Sequence, residues 1–459
     1  MNDRKRELNL YQLFDYQGVE RHLADMAARG WRLERVGTYF WQYRRAEPAR
    51  LTYAVTYVSD GSLFNPRPTE KQERLDALCA AAGWEKVGDW AQMQIFVSEQ
   101  PDPVPLETDD AVRIAAVHRS MKKNFLPSNY VMLALPLLWL FMAWNDFRRD
   151  KVDFFSSSLD FFLILLSILL LVLQGVNLSV YYRWRRRSLA SVAQGGACAA
   201  TGGYRRFNQA AFGVLMVVLA ADLVSMAVWQ RTSAAVYVLW LLFYVLAVFL
   251  IIRAREALKR RGAPKGLNIA LTIALDVVLM VGLVSLLTFG VLRLGWFSGE
   301  GDTYRYQNQE WQVDPPDIPL TAEDLTGIRY EHLRRWDLGD GSFLMQQHTY
   351  SESARQDAAS GDSRYHLSYT VTRTGIDWLY DLVLQETMAN DDPDFWTITW
   401  QPSDPAPWGA EAVWRRYLDG SPTDTWLLCW PGQIAELELD GEATDAQMAA
   451  AGAALGPAA

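Results

Sequence analysis

The spacing of apolar and polar positions changes character twice along this chain. From Glu7 to Phe14, "ELNLYQLF" alternates apolar and polar residues, as a half-buried strand does. A helix is predicted over about Val19–Arg29, with Leu23, Met26 and Ala27 on its inner face. "WRLERVGTYFWQYR", from Trp31, reads as a strand with aromatic residues on both faces. "LTYAVTYV", Leu51 to Val58, alternates and reads as its hairpin partner. After Pro66 and Pro68 the pattern returns to helix over Glu70–Ala82, and "MQIFVS" closes the segment as a strand. Strand, helix, strand, strand, helix, strand is the βαββαβ, ferredoxin-like order.

One short pattern occurs twice inside this segment. "LADMAARGWRLERVG" (Leu23–Gly37) and "LDALCAAAGWEKVG" (Leu75–Gly88) each run from a helix through Gly-Trp into a strand. Gly30 and Gly83 stand where a helix C-cap favours a residue tolerant of positive φ. Trp31 and Trp84 follow as large side chains able to pin the turn. These four are read as structural anchors; stacking of a ligand or nucleobase on the tryptophans is the alternative.

The middle of the chain loses all alternation. Five apolar runs, about 126–144, 159–181, 210–229, 234–252 and 267–292, each come close to the roughly 20 residues that carry a helix across a bilayer. The expectation is five transmembrane helices, the only singly spanning elements that satisfy their own backbone. Beyond Gly295 alternation resumes. "SFLMQQHTYSES", "YHLSYTVTRT", "FWTITWQP", "AEAVWRRYLDG" and "TWLLCWPGQIAELEL" read as strands. "GIDWLYDLVLQETM" reads as a helix with Trp378, Leu379, Leu382 and Val383 inward, and "TDAQMAAAGAAL" as a closing helix. A sandwich-like α+β domain is expected. The divisions are therefore 1–100 for the ferredoxin-like module, 101–125 for a linker and juxtamembrane helix, 126–295 for the spans and 296–459 for the acidic α+β domain.

Charge sharpens these divisions. Residues 1–126 are balanced, with 18 basic and 18 acidic side chains; residues 127–295 carry 17 basic and 7 acidic; residues 296–459 carry 9 basic and 28 acidic, with no lysine. Arg183, Arg185, Arg186, Arg187, Arg205 and Arg206 are expected between spans two and three. Arg253, Arg255, Lys259, Arg260, Arg261 and Lys265 are expected between spans four and five. By the positive-inside bias these loops and Lys122–Lys123 are cytoplasmic. An odd number of spans then leaves the N-terminus inside and the C-terminal domain extracytoplasmic, with the first span as an uncleaved signal-anchor. Cys79 and Cys198 fall inside and Cys429 alone outside, which gives the outer domain no intrachain disulfide.

The segment "EQPDPVPLETDD" reads as a stiff linker, and Thr108 or Asp109 as the cap of a helix over Asp110–Asn124. That helix either lies on anionic headgroups or extends the first span. Candidate chemistry is sparse. Asp222 and Asp276 lie inside spans three and five and form the candidate intramembrane polar site, because ionisable groups at that depth are costly. A protonated or hydrogen-bonded contact with Gln174, Asn177 or Ser225 is the structural alternative. His332, His348 and His366 lack metal-site spacing, and the acidic run Asn390–Asp394 lacks the glycine and terminal glutamate of a calcium loop. No catalytic, cofactor-binding or metal residue is assigned.

The first 120 residues carry a resemblance. Phe14, Asp15, Leu23, Met26, Ala27, Gly30, Gly83, Glu85, Val87, Gly88 and Trp90 match the pattern of the bacterial family called domain of unknown function 2812. "AQMQIF" departs from it by holding fewer aromatic residues. The resemblance implies a membrane-attached bacterial protein, often beside PadR-type transcriptional regulators, and brings no catalytic residues. The expected function is a non-enzymatic sensor or regulatory protein that couples the outer domain to the cytoplasmic module. Its expected partners are the lipid bilayer and a cytosolic regulatory protein, with no nucleic acid; self-association is left open. A transport or efflux component using Asp222 and Asp276, and an envelope enzyme, are the alternatives.

Overall fold

The computed structural model describes residues 3–201, 204–229, 231–294, 302–358, 361–389 and 397–457. The chain forms two compact units. One comprises Met1–Leu140, Ile164–Leu219 and Phe243–Val281; the other comprises Phe141–Leu163, Ala220–Leu242 and Gly282–Ala459.

The first unit opens with a strand–helix–strand–strand order stated twice. The first copy is β1 (Arg4–Leu8), α1 (Tyr16–Ala28), β2 (Trp31–Val36) and β3 (Phe40–Arg45). The second is β4 (Thr52–Tyr57), α2 (Glu70–Ala81), β5 (Glu85–Trp90) and β6 (Met93–Ser98). Each copy makes its own three-stranded antiparallel sheet, ordered β1-β3-β2 and β4-β6-β5. This corrects the single ferredoxin-like sheet. The strand expected to run unbroken from Trp31 folds into a hairpin at Gly37, where a Cβ would lie 2.4 Å from the Phe40 carbonyl oxygen. The stretch read as its partner instead starts the second copy, where Thr52 opposes Ser98 and Tyr57 opposes Met93. The two sheets approach at Gly88 of β5, whose missing Cβ would lie 3.0 Å from Val36 Cγ2 of β2.

Helix α1 lies in the common core. Asp15 caps it, its Oδ1 accepting from Gly18 N–H at 3.1 Å, and Val19, Leu23, Met26 and Ala27 form one buried face at helical spacing. That face meets Leu33, Trp41 and Tyr43 from the first sheet and Tyr53, Val55 and Ile95 from the second. Helix α2, started by a Thr69–Gln72 capping box, buries Cys79 with Trp84 and Phe96 in a separate small core.

Helix α3 (Asp110–Ser120), capped by Asp109, leads through a π turn (Met121–Phe125) into α4 (Leu126–Arg149). Then follow α5 (Lys151–Ser156), α6 (Ser158–Ala193), α7 (Tyr204–Trp229), α8 (Arg231–Arg260) and α9 (Lys265–Leu294). Among the described residues four helical segments are long and apolar enough to cross a membrane: Leu126–Arg149, Ser158–Ala193, Arg205–Val224 and Lys265–Gly290. Between 11% and 22% of their most apolar windows is buried within the chain, the pattern of helices whose apolar surface needs a lipid solvent. The fifth expected run, 234–252, falls in α8, where the side chains of 231–237 and 240 lie outside the described residues. The arginines at 183–187, expected in a loop, extend α6 instead, since nothing there breaks the helix.

The second unit is built on nine antiparallel strands: β7 (Thr303–Tyr306), β8 (Gln309–Gln312), β9 (His332–Gly341), β10 (Met345–Ala358), β11 (Gly361–Thr374), β12 (Ile398–Ser403), β13 (Ala412–Leu418), β14 (Ser421–Trp430) and β15 (Gln433–Glu438). They form one sheet ordered β12-β13-β14-β15-β11-β10-β9-β8-β7, not the expected sandwich. Alternation along β14 explains this. Trp426, Leu428 and Trp430 enter one core, while Leu427 and Cys429 enter another on the opposite face. Helices α10 (Ala322–Thr326) and α12 (Asp445–Leu455) cover the first face; α11 (Asp377–Met388) covers the second through Leu379 and Val383. Trp378, expected inward, is 56% exposed and meets Phe155 edge-on at 5.6 Å.

Candidate functional site

The second-copy loop between β4 and α2 is fixed at several points. Val58 N–H donates to Gln92 O at 2.9 Å, and buried Gln92 Nε2 donates to Gly61 O at 3.0 Å. A Cβ on Gly61 would lie 2.5 Å from Ala91 O, so only glycine permits this approach to the β5–β6 turn. Ala91 itself holds a φ of 55°. From the helical side, Lys123 Nζ donates to Ser59 O at 2.8 Å. Asn268 Nδ2 of α9 donates to Phe64 O at 3.3 Å, and Arg255 of α8 lies over the Phe64 ring at 5.7 Å.

These attachments enclose a cavity of about 640 Å³, within the usual size of a small-molecule site. Two equivalent loops of the repeat wall it: Tyr11–Leu13, between β1 and α1, and Gly61–Phe64, between β4 and α2. Trp90, Phe125 and Ile269 extend its apolar lining, and Lys123 and Lys265 are the cations among its lining residues. A second cavity of about 410 Å³ shares Tyr11, Gln12, Phe125 and Ser128 with the first and continues along Met132, Leu173, Phe212 and Leu215. From sequence both lysines count as topology signals, Lys123 also as part of a helix that could lie on anionic headgroups, and the aromatic wall carries no signal of its own. The available signal was that both loops follow the first strand of a repeated unit.

A polar cluster joins the same domain to α7. Arg205 Nη1 lies 2.7 Å from His22 Nδ1 and Nη2 lies 3.2 Å from Glu7 Oε2. His22 Nε2 lies 2.9 Å from the same Glu7 oxygen. Arginine has no acceptor, so Nδ1 accepts and Nε2–H donates to Glu7. The hydrogen bond from His22, assisted by Lys5, holds the Glu7 carboxyl at about 2 despite partial burial. On the other side of α1, Glu20 Oε1 accepts from Val55 N–H at 2.8 Å. Burial dominates there and pushes its carboxyl up to about 7.

The residues singled out from sequence are dispersed. Gly30 and Gly83 have φ of 79° and 81°. Trp31 is half-buried beneath Arg45, whose guanidinium carbon is 5.5 Å from the ring centre. Trp84 is buried and its Nε1 donates to Val104 O at 2.8 Å. Asp222 is 6% exposed, and its Oδ2 is buried without a hydrogen-bond partner among the described residues; Asp276 is exposed on α9. His332 stacks on Tyr306 at 4.2 Å, His348 lies against Gly339, and His366 reaches Ser353 Oγ at 3.4 Å. Among the described residues no three His, Cys, Asp or Glu side chains come together as metal ligands. The acidic run Asn390–Asp394 lies outside the described residues. Cys79, Cys198 and Cys429 are free thiols.

Residues 15–128 match a family profile described as Protein of unknown function (DUF2812). The chain thus carries a DUF2812 domain, running from the α1 cap through α3 and the π turn into the first turn of α4. No curated protein and no solved structure matches the chain.

Proposed function

We propose that this multi-pass membrane protein is a non-enzymatic sensor or regulator. Its DUF2812 domain faces the cytoplasm, five helices span the bilayer, and the nine-stranded domain lies outside. The reading rests above all on how the β1–β6 module that carries the DUF2812 match is fastened to the helices. Arg205 and Asn208 of α7 bind Glu7 and the Leu10 carbonyl. Arg255 of α8 binds Thr38, Asn268 of α9 binds the Phe64 carbonyl, and Tyr181 of α6 lies in the domain's own core. A rearrangement of these four helices would be felt at several separate points of the module. The outer domain has comparable attachments within its unit: Lys151 pairs with Glu386, and Ser342 Oγ donates to Phe155 O at 2.6 Å.

Topology is tested by single cysteines at exposed Glu85 and Ser421. Ser421→Cys should react with an impermeant maleimide in intact cells, and Glu85→Cys only after lysis; the reverse pattern overturns the orientation. Coupling is tested by hydrogen exchange on the full chain. Lys151→Glu should alter protection within residues 4–98, and an unchanged profile there counts against it. Within the transport reading Asp222 is the buried acid, whereas Asp276 is exposed on α9.

A further inference from the structure

We infer that the cavity between the two repeat loops and the starts of α4 and α9 is a binding site for one anionic phospholipid drawn from the bilayer. The inference rests on the reading that α4 and α9 lie in a membrane. Its first support is position. The wall is formed by the segments that lead into two membrane-length helices, with Lys123 and Phe125 just before α4 and Lys265 opening α9. A lipid headgroup at the membrane surface lies at this level.

The second support is the division of chemistry across the cavity. Leu63, Phe64, Trp90, Phe125 and Ile269 offer an apolar and aromatic lining, whereas Lys123 and Lys265 add two cations to it. Lys123 is oriented by the Ser59 carbonyl and lies 3.8 Å from Asp60. Lys265 is exposed, with no carboxylate in ion-pair range among the described residues. A lysine in the first turn of a helix opposes the helix dipole, so an anion there offsets both charges. The third support is continuity. The adjoining cavity along Met132, Leu173, Phe212 and Leu215 gives an acyl chain a path between helices. A soluble anion would use the lysines and leave this apolar path unfilled; a neutral lipid would leave Lys265 unmatched.

The π turn gives the arrangement its local cause. Met121–Phe125 widens one turn between α3 and α4, and such turns re-aim side chains without ending a helix. Here Lys123 reaches Ser59 while Phe125 lines the cavity.

The test is native mass spectrometry of the full chain in detergent, with added palmitoyl-oleoyl phosphatidylglycerol, the matching phosphatidylcholine, or inorganic phosphate. One phosphatidylglycerol should be retained per chain under activation that strips phosphatidylcholine. Lys265→Glu should weaken retention about tenfold, a difference of roughly 1.4 kcal/mol, and Leu63→Trp, which fills the lining, should do the same. Arg260→Glu, a basic residue outside the cavity, should leave it unchanged. Lys265→Gln serves if the glutamate variant fails to fold, with the same direction expected. Equal retention of the two lipids, an equal loss in Arg260→Glu, or displacement by inorganic phosphate alone would each overturn the proposal. None of these outcomes alters the maleimide pattern, so the site and the topology fail separately.

Discussion

Arg205 and Glu7, 198 residues apart in sequence, are paired with Arg205 Nη2 3.2 Å from Glu7 Oε2. The pair ties the first turn of α7 to the first strand of the DUF2812-bearing unit, and His22 bridges the two. The arginine therefore serves two acceptors at once, and its planar fork suits that arrangement better than a lysine would.

Removing this arginine should loosen the first repeat. Arg205→Ala leaves His22 Nδ1 without its donor and Glu7 with one cation fewer. The expected cost is about 1–3 kcal/mol, typical of a charged hydrogen bond lost from a partly buried site. The thermal midpoint of the full chain in detergent should fall, and hydrogen exchange should rise over residues 4–28. Arg205→Lys should recover only part of the loss. An unchanged exchange profile in the alanine variant would remove the latch from the picture.

Two carboxyls, Glu7 on β1 and Glu20 on α1, should give opposite responses to pH. Glu7 is depressed from an ordinary 4.5 to about 2. Its contribution is complete above about 4.5 and is lost as pH falls toward 2. Glu20 is raised from 4.5 to about 7. The folded state binds that proton more tightly than the unfolded state does, so stability declines as pH rises from about 4.5 to 7 and stays lower beyond. Glu20→Gln keeps an acceptor for Val55 N–H and should flatten this decline. At pH 8 it should be more stable than the parent, by up to about 1.4 kcal/mol per pKa unit. Denaturation midpoints at pH 5 and pH 8 decide it: a parent no less stable at pH 8 relative to Glu20→Gln sinks the assignment.

The duplicated Gly-Trp corner should respond unequally to mutation. Gly30 and Gly83 share a left-handed φ, which costs an alanine roughly 1–2 kcal/mol at either position. Their surroundings differ. A Cβ at Gly30 would lie 2.8 Å from the Ala46 backbone oxygen, whereas at Gly83 it would meet the end of the Gln100 side chain. Backbone cannot move aside and Gln100 can. Gly30→Ala should therefore lower the thermal midpoint clearly more than Gly83→Ala, and equal shifts would refute the distinction.

Much of the chain's organisation was legible in its periodicities, and the failures have particular causes. Four of the five apolar runs coincide with membrane-length helices among the described residues, because hydrocarbon thickness sets the length of a span. The repeat was visible in Leu23–Gly37 and Leu75–Gly88, but sheet topology was not. Whether Trp31–Arg45 is one strand or a hairpin depends on the turn at Gly37, and alternation continues on both sides of it. In the C-terminal domain the sequence pattern does not reveal β7, β8 and β9. They hold few apolar residues, their pairing coming from neighbouring strands rather than from burial. The cavity was invisible for a different reason. Its lining comes from two loops, the β5–β6 turn, the π turn and two helix starts, each unremarkable by itself.

Asp222 separates scaffold from transport. Its Oδ2 is buried and has no hydrogen-bond partner among the described residues, within a helix long and apolar enough to cross a membrane. An ionised carboxylate there is expensive, so a chain that keeps it only as a helix contact gains by losing the charge. On the regulatory reading, Asp222→Asn should leave the thermal midpoint of the detergent-solubilised chain unchanged or raised. Proton flux in liposomes containing the chain should be indistinguishable between parent and variant. A pH-gradient-driven flux present in the parent and abolished in Asp222→Asn would instead make the carboxylate part of a conduction path. That result would replace the regulatory reading with the transport one.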